Sequence, residues 1–89
     1  MAGRRVAFLD DHPAVREALA LALRGMAGIE LVAALSGPED LDELVRAAPA
    51  LVLMDLNLGG VRGDEVAGAL QARLPEATIW LMSTSCLGA

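Results

Sequence analysis

Ala50-Leu51-Val52-Leu53-Met54-Asp55 is the stretch on which the fold turns. Residues 50–54 are apolar at every position, with none of the alternation expected of a strand that has one face in water. A strand covered on both faces has this pattern, and such strands belong to parallel sheets flanked by helices. Just upstream, Leu41, Leu44, Val45 and Ala48 fall on one side of a helix that Pro49 closes. Ser36 and Glu39, three apart before it, have the form of a capping box. Downstream, residues 57–63 form a glycine-rich loop. A helix begins at Asp64, turns Val66, Ala69, Leu70 and Leu74 inward, and ends at Pro75.

The same alternation extends to both ends. Arg4 to Leu9 is a short apolar strand, and Asp11-His12-Pro13 opens a helix in which proline's missing N–H costs little. Val15, Leu19, Ala22 and Met26 make its stripe, widened by Ala18 and Leu23, and Gly25 and Gly28 stop it. Ile29 to Leu35 is a second strand and Thr78 to Met82 a fourth. With no hairpin signal, the alternation predicts right-handed crossovers and a parallel sheet with helices outside it. The class is α/β, in one domain over residues 1–89.

Composition narrows the function. At 89 residues the chain has room for neither a second domain nor a cleft between lobes, and at 55% hydrophobic it is not disordered. The net charge is −5, with seven arginines and no lysine. Phosphate backbones are bound by clustered cations, so direct nucleic-acid binding is not expected. The lone Cys86 cannot form an internal disulfide. No run is long and apolar enough for a membrane span or a secretory leader, so the expected setting is soluble and cytoplasmic.

The acids carry the chemistry. In open parallel sheets the functional crevice lies beyond the carboxyl ends of the strands. Asp10 and Asp11 follow the first strand and Asp55 ends the apolar run of the third. If these strands are neighbours, three carboxylates converge, at a cost in stability unless a cation sits among them. Hard oxygen donors at a wet rim suit Mg²⁺. The plainer alternative is that the acids mark solvated strand ends.

Phe8-Leu9-Asp10-Asp11-His12-Pro13-Ala14-Val15-Arg16, with Leu53-Met54-Asp55-Leu56-Asn57-Leu58, Gly60 and Gly63, resembles the receiver domain of two-component response regulators. The closest likeness is to the branch that bears a helix-turn-helix output domain. The resemblance implies a flavodoxin-like open parallel sheet, truncated to four strands in the order 2-1-3-4 with three helices. It makes Asp55 the phosphoacceptor, with Asp11, Asp55 and the backbone carbonyl of Asn57 holding Mg²⁺ and Asp10 bound through water. Ser83 takes the place of the switch hydroxyl. The implied partner is a histidine kinase or phosphotransfer domain, and the implied role is that of a phosphoryl acceptor, not an enzyme.

Two departures from the family pattern stand out. Gly59 replaces the proline usual before Gly60, which implies a looser loop. The lysine that the family places at the end of a fifth strand has no counterpart, and the elements after the fourth strand are missing, which implies impaired switch output. The bare fourth strand, with Trp80, Leu81 and Met82, is then an edge expected to pair with another copy in a homodimer. The alternative from another class is a non-catalytic pseudo-receiver that binds a kinase or regulator without relay chemistry. A phosphatase with an aspartate nucleophile is weaker, since Asp10 and Asp11 are adjacent where that chemistry spaces its acids two apart. His12 has two readings, a phosphoryl or metal group and a helix start, of which the helix start is the better fit, and Arg62-Gly63-Asp64 is a chance tripeptide.

Overall fold

A computed structural model describes residues 3–82 of the chain. Strand β1 (Arg4–Leu9) leads into helix α1 (Pro13–Arg24), then β2 (Ile29–Leu35). A 3₁₀ turn (Pro38–Asp40) precedes α2 (Leu41–Ala47), and β3 (Leu51–Asp55) follows. Two short strands, β4 (Asn57–Leu58) and β5 (Val61–Arg62), precede α3 (Gly63–Arg73) and β6 (Thr78–Met82). The main sheet is parallel throughout in the order β2-β1-β3-β6. Counting its strands in chain order, this is the expected flavodoxin-like 2-1-3-4 arrangement with three helices.

Two apolar clusters fill the two sides of the sheet. Ala7, Leu9, Leu35, Val52 and Met54 pack against Leu44 of α2 and Val66 and Leu70 of α3. On the opposite side Val6 and Phe8 pack against Ala20 and Leu23 of α1, with Ile29, Leu31, Leu51 and Leu53 at the margin. A register shift between Val6 and Ala7 skips Val32, so Val6 pairs with Leu31 but Ala7 with Ala33. That one extra residue lets β2 supply Ile29 and Leu31 to the α1 side and Ala33 and Leu35 to the other.

Several expected details differ. In α1, Ala18, Ala22 and Met26 are exposed, and the inward residues are Leu19, Ala20 and Leu23. The helix ends at Arg24, which leaves Met26 outside it. In α3 it is Ala67, not Ala69, that packs on the core. Ala48 is exposed and adopts the left-handed conformation (φ 49°) as the C-cap of α2, ahead of the buried Pro49. The capping box is also reassigned. Asp40 accepts from the Ser36 backbone N–H at 3.2 Å and from its hydroxyl at 3.1 Å, and Glu39 accepts only from the hydroxyl, at 3.4 Å. Finally, Leu51 and Leu53 of β3 are only half-buried, since α1 lies over β1 and β2 and leaves the side of β3 partly open.

The loop after β3 is a hairpin. Asn57 pairs with Arg62 and Leu58 with Val61, antiparallel. Gly59 (φ 63°) and Gly60 (φ 91°) make a two-residue turn of the I′ kind, which needs positive φ at both positions. The expected looser loop is therefore a closed ladder, and Gly59 sits where proline's fixed negative φ cannot.

Candidate functional site

Neighbouring strand ends build the site. Leu9 pairs with Met54, so the next residues, Asp10 and Asp55, emerge side by side at the carboxyl edge. The Asp10 N–H donates to the Leu35 carbonyl at 3.0 Å, and the Leu56 N–H to the Met82 carbonyl at 2.7 Å, which ties both turns to outer strands. Asp10 and Asp55 are buried, while the Asp11 side chain is about one-third exposed. One ligand atom from each of Asp10, Asp11, His12 and Asp55 lies within 4.8 Å of the others. The three acids expected to converge are thus gathered at one rim.

His12 joins the acids at this rim. It is the N-cap residue of α1, as a helix start should be, and its ring also stands among the carboxylates. Its backbone N–H donates to Asp10 Oδ1 at 2.9 Å, and Nδ1 lies 3.0 Å from the same oxygen. Nδ1 is also 3.1 Å from Asp11 Oδ1 and 3.7 Å from Asp55 Oδ2. The hydrogen bond to Asp10, seconded by the charge of Asp11, raises the imidazole pKa above its usual 6.5. The 3.1 Å approach to Asp11 is charge proximity without hydrogen-bond direction, because Asp11 Oδ1 accepts no hydrogen bond. Asp10 Oδ2 accepts none either. Buried carboxylate oxygens without donors favour a cation, so the donor set fits a hard divalent ion.

The surrounding residues hold this arrangement. The Arg16 guanidinium donates to the Asp10 backbone carbonyl at 3.0 Å. The Asn57 N–H donates to Asp55 Oδ1 at 3.1 Å, and the Asn57 side chain accepts from the Gly60 N–H at 3.1 Å. The hairpin turn also reaches the acids: a Cβ on Gly59 would lie 3.5 Å from Asp11 Oδ2. Arg62 pairs with Asp64, which lowers the Asp64 pKa below 3.8. Ser83 lies outside the described residues.

A shallow groove of about 460 Å³ at the amino ends of β3 and β6, lined by Ala48, Pro49, Leu74 and Pro75, holds none of these carboxylates. The convergent acids therefore mark the site better than this groove does. No helix among the described residues is long and apolar enough to cross a membrane.

Residues 6–86 match the response regulator receiver domain family. Over 79 residues the chain is 37% identical to the transcriptional activator protein ExaE of Pseudomonas putida, covering 88% of this chain and 37% of that protein. It is 35% identical over 79 residues to the response regulator protein FleR of Pseudomonas aeruginosa, covering 89% of this chain and 16% of that protein. The chain therefore spans well under half the length of these relatives. Among solved structures, a NarL signal receiver domain from Mycobacterium tuberculosis superposes with a TM-score of 0.81 at 28% identity, covering 94% of this chain and 68% of that one.

Proposed function

The chain belongs to the response regulator receiver family of two-component systems, and from that premise we propose that Asp55 accepts a phosphoryl group from a histidine kinase or phosphotransfer domain. The observation that carries this reading is the meeting of buried Asp55 with Asp10 and Asp11 at the carboxyl edge of the sheet. Asn57 engages Asp55 Oδ1 and so orients Oδ2 toward the other acids. In the reaction, a carboxylate oxygen of Asp55 bonds to phosphorus as the phosphorus–nitrogen bond of the donor phosphohistidine breaks. Asp55 thereby becomes an acyl phosphate, and the chain acts as acceptor, not catalyst.

Asp11, Asp55 and the Asn57 carbonyl hold Mg²⁺ in this reading, with Asp10 bound through water. When bound, the ion neutralises the carboxylates and the equatorial phosphoryl oxygens. Arg16 keeps the Asp10 turn in place through its backbone carbonyl. Ser83 supplies the hydroxyl that meets the arriving phosphoryl group. The chain is cytoplasmic in this reading, a second copy covers the β6 edge, and this acidic module makes no direct contact with nucleic acid.

The test is intact mass after incubation with acetyl phosphate and Mg²⁺. A labile adduct of one phosphoryl group, lost in Asp55→Asn, supports the reading. Protein that stays unmodified overturns it and leaves an interaction module without relay chemistry.

A further inference from the structure

We propose that Arg16 is a positioning residue for phosphoryl acceptance, which aims the Asp11 carboxylate by holding the backbone on both sides of it. The inference rests on the phosphoacceptor reading and adds the residue that keeps one of its acids in place. The Arg16 guanidinium donates to the Asp10 carbonyl at 3.0 Å, and the Arg16 backbone N–H donates to the His12 carbonyl at 2.9 Å. Asp11 lies between those two carbonyls, so one residue spans the turn that carries it. The peptide before Asp10 is tied to β2, through the Asp10 N–H and the Leu35 carbonyl. The next peptide, whose tilt sets where Asp11 points, is held at its carbonyl by Arg16.

The acids differ in what fixes them. Asp10 Oδ1 accepts the His12 N–H at 2.9 Å, and Asp55 Oδ1 accepts the Asn57 N–H at 3.1 Å. Asp11 Oδ1 accepts no hydrogen bond, and its 3.1 Å approach to His12 Nδ1 gives charge without direction, because that nitrogen bonds Asp10. The Asp11 side chain therefore takes its direction from its backbone. Arg16 also stands where helix physics alone would not put it. It is the fourth residue of α1, whose first turn holds no acid and whose N-cap makes no side-chain hydrogen bond. The macrodipole disfavours a cation at that end of a helix. A local rule broken in this way marks a position occupied for another reason, and the bond to the Asp10 carbonyl supplies one.

The experiment compares the 89-residue chain with Arg16→Met, which keeps an unbranched apolar stem but offers no donor. NMR couplings between Hα and Hβ of the aspartates, measured without added metal, report whether each side chain holds one rotamer. The proposal expects Asp11 fixed in the unsubstituted chain and averaged in Arg16→Met, with Asp55 fixed in both. The rate of adduct formation from acetyl phosphate should fall at least about tenfold in the variant, as misplacing a group near the reacting atoms does. Asp11 couplings that are averaged in the unsubstituted chain or fixed in Arg16→Met overturn the proposal alone. So do couplings of Asp55 that average equally, which would mean general loosening, and an unchanged rate. Absence of any adduct on the unsubstituted chain instead removes the phosphoacceptor reading, and with it the part given to Arg16. Circular dichroism establishes that the variant is folded.

Discussion

Gly63 shows how closely the site depends on single atoms. It is the first residue of α3, and a Cβ there would lie 2.1 Å from the Asp55 carbonyl oxygen and 2.8 Å from the Leu56 Cα. Both are backbone atoms, so the end of β3 that carries the acceptor acid would have to move. Gly63→Ala is therefore expected to cost about 2–3 kcal/mol, a fall in melting temperature of roughly 10 °C or more. Any folded fraction should bind beryllofluoride more weakly. Beside it, Arg62 holds Asp64 through two hydrogen bonds of 3.0 and 2.7 Å. Because the folded pKa of Asp64 lies below 3.8, any stabilisation from this pair is present above that value and is lost as the pH falls through the folded one. NMR titration of Arg62→Ala should find the Asp64 pKa moved up toward 3.8, and an unmoved value would refute the assignment. Asp10, Asp11 and Asp55 were legible in the sequence because apolar runs locate strand ends. The contact that demands glycine at 63 was not, because it joins the start of one element to the end of another. Nor was the place of the His12 ring, which depends on where β3 delivers Asp55.

At the scale of elements, the strands and the crossovers between them followed from run length and punctuation, since a continuous apolar stretch has few other uses. The hairpin between β3 and α3 escaped, although Gly59-Gly60 between Leu58 and Val61 is itself a turn signal. Strands of two residues carry no periodicity to detect. The helix faces were read less well than the helices. Ala18, Ala22 and Ala69 are small enough to suit either side, so their spacing does not reveal which way they point. The hairpin makes a prediction of its own. At Gly59 (φ 63°) asparagine tolerates the left-handed region and narrows the unfolded ensemble, so Gly59→Asn should stabilise by about 0.5 kcal/mol. Gly59→Pro should cost more than about 1 kcal/mol, since its ring fixes φ near −65°. Urea midpoints at unchanged slope would check both, and a tolerated proline would show that the turn readily takes another form.

Over the whole molecule, the two sides of the sheet are unequally covered. Among the described residues two helices close the side of Ala7, Leu9, Val52 and Met54, while α1 alone serves the other. Leu51 and Leu53 are in consequence half-buried, and Trp80, which pairs with Leu53 and so shares its side, is 59% exposed. Sheet order was legible only through the family resemblance, because right-handed crossovers make the sheet parallel but leave the order of its strands open. The extent of cover was not, because it depends on helix position across the sheet, which sequence spacing does not encode. Trp80 also sits on β6, the outermost strand, whose outer edge pairs with no strand among the described residues. Edge backbone groups beside a large apolar side chain form a template for a second strand. The 89-residue chain is accordingly expected to self-associate through β6, with mass in sedimentation equilibrium rising with concentration. Trp80 is the only tryptophan, so its emission should shift to the blue over the same range. Trp80→Lys places a charge on the edge and removes the apolar contact, and should leave a monomer at every concentration. Unsubstituted protein that stays monomeric at high micromolar concentration would mean that strand edge and indole together are insufficient to hold a second copy.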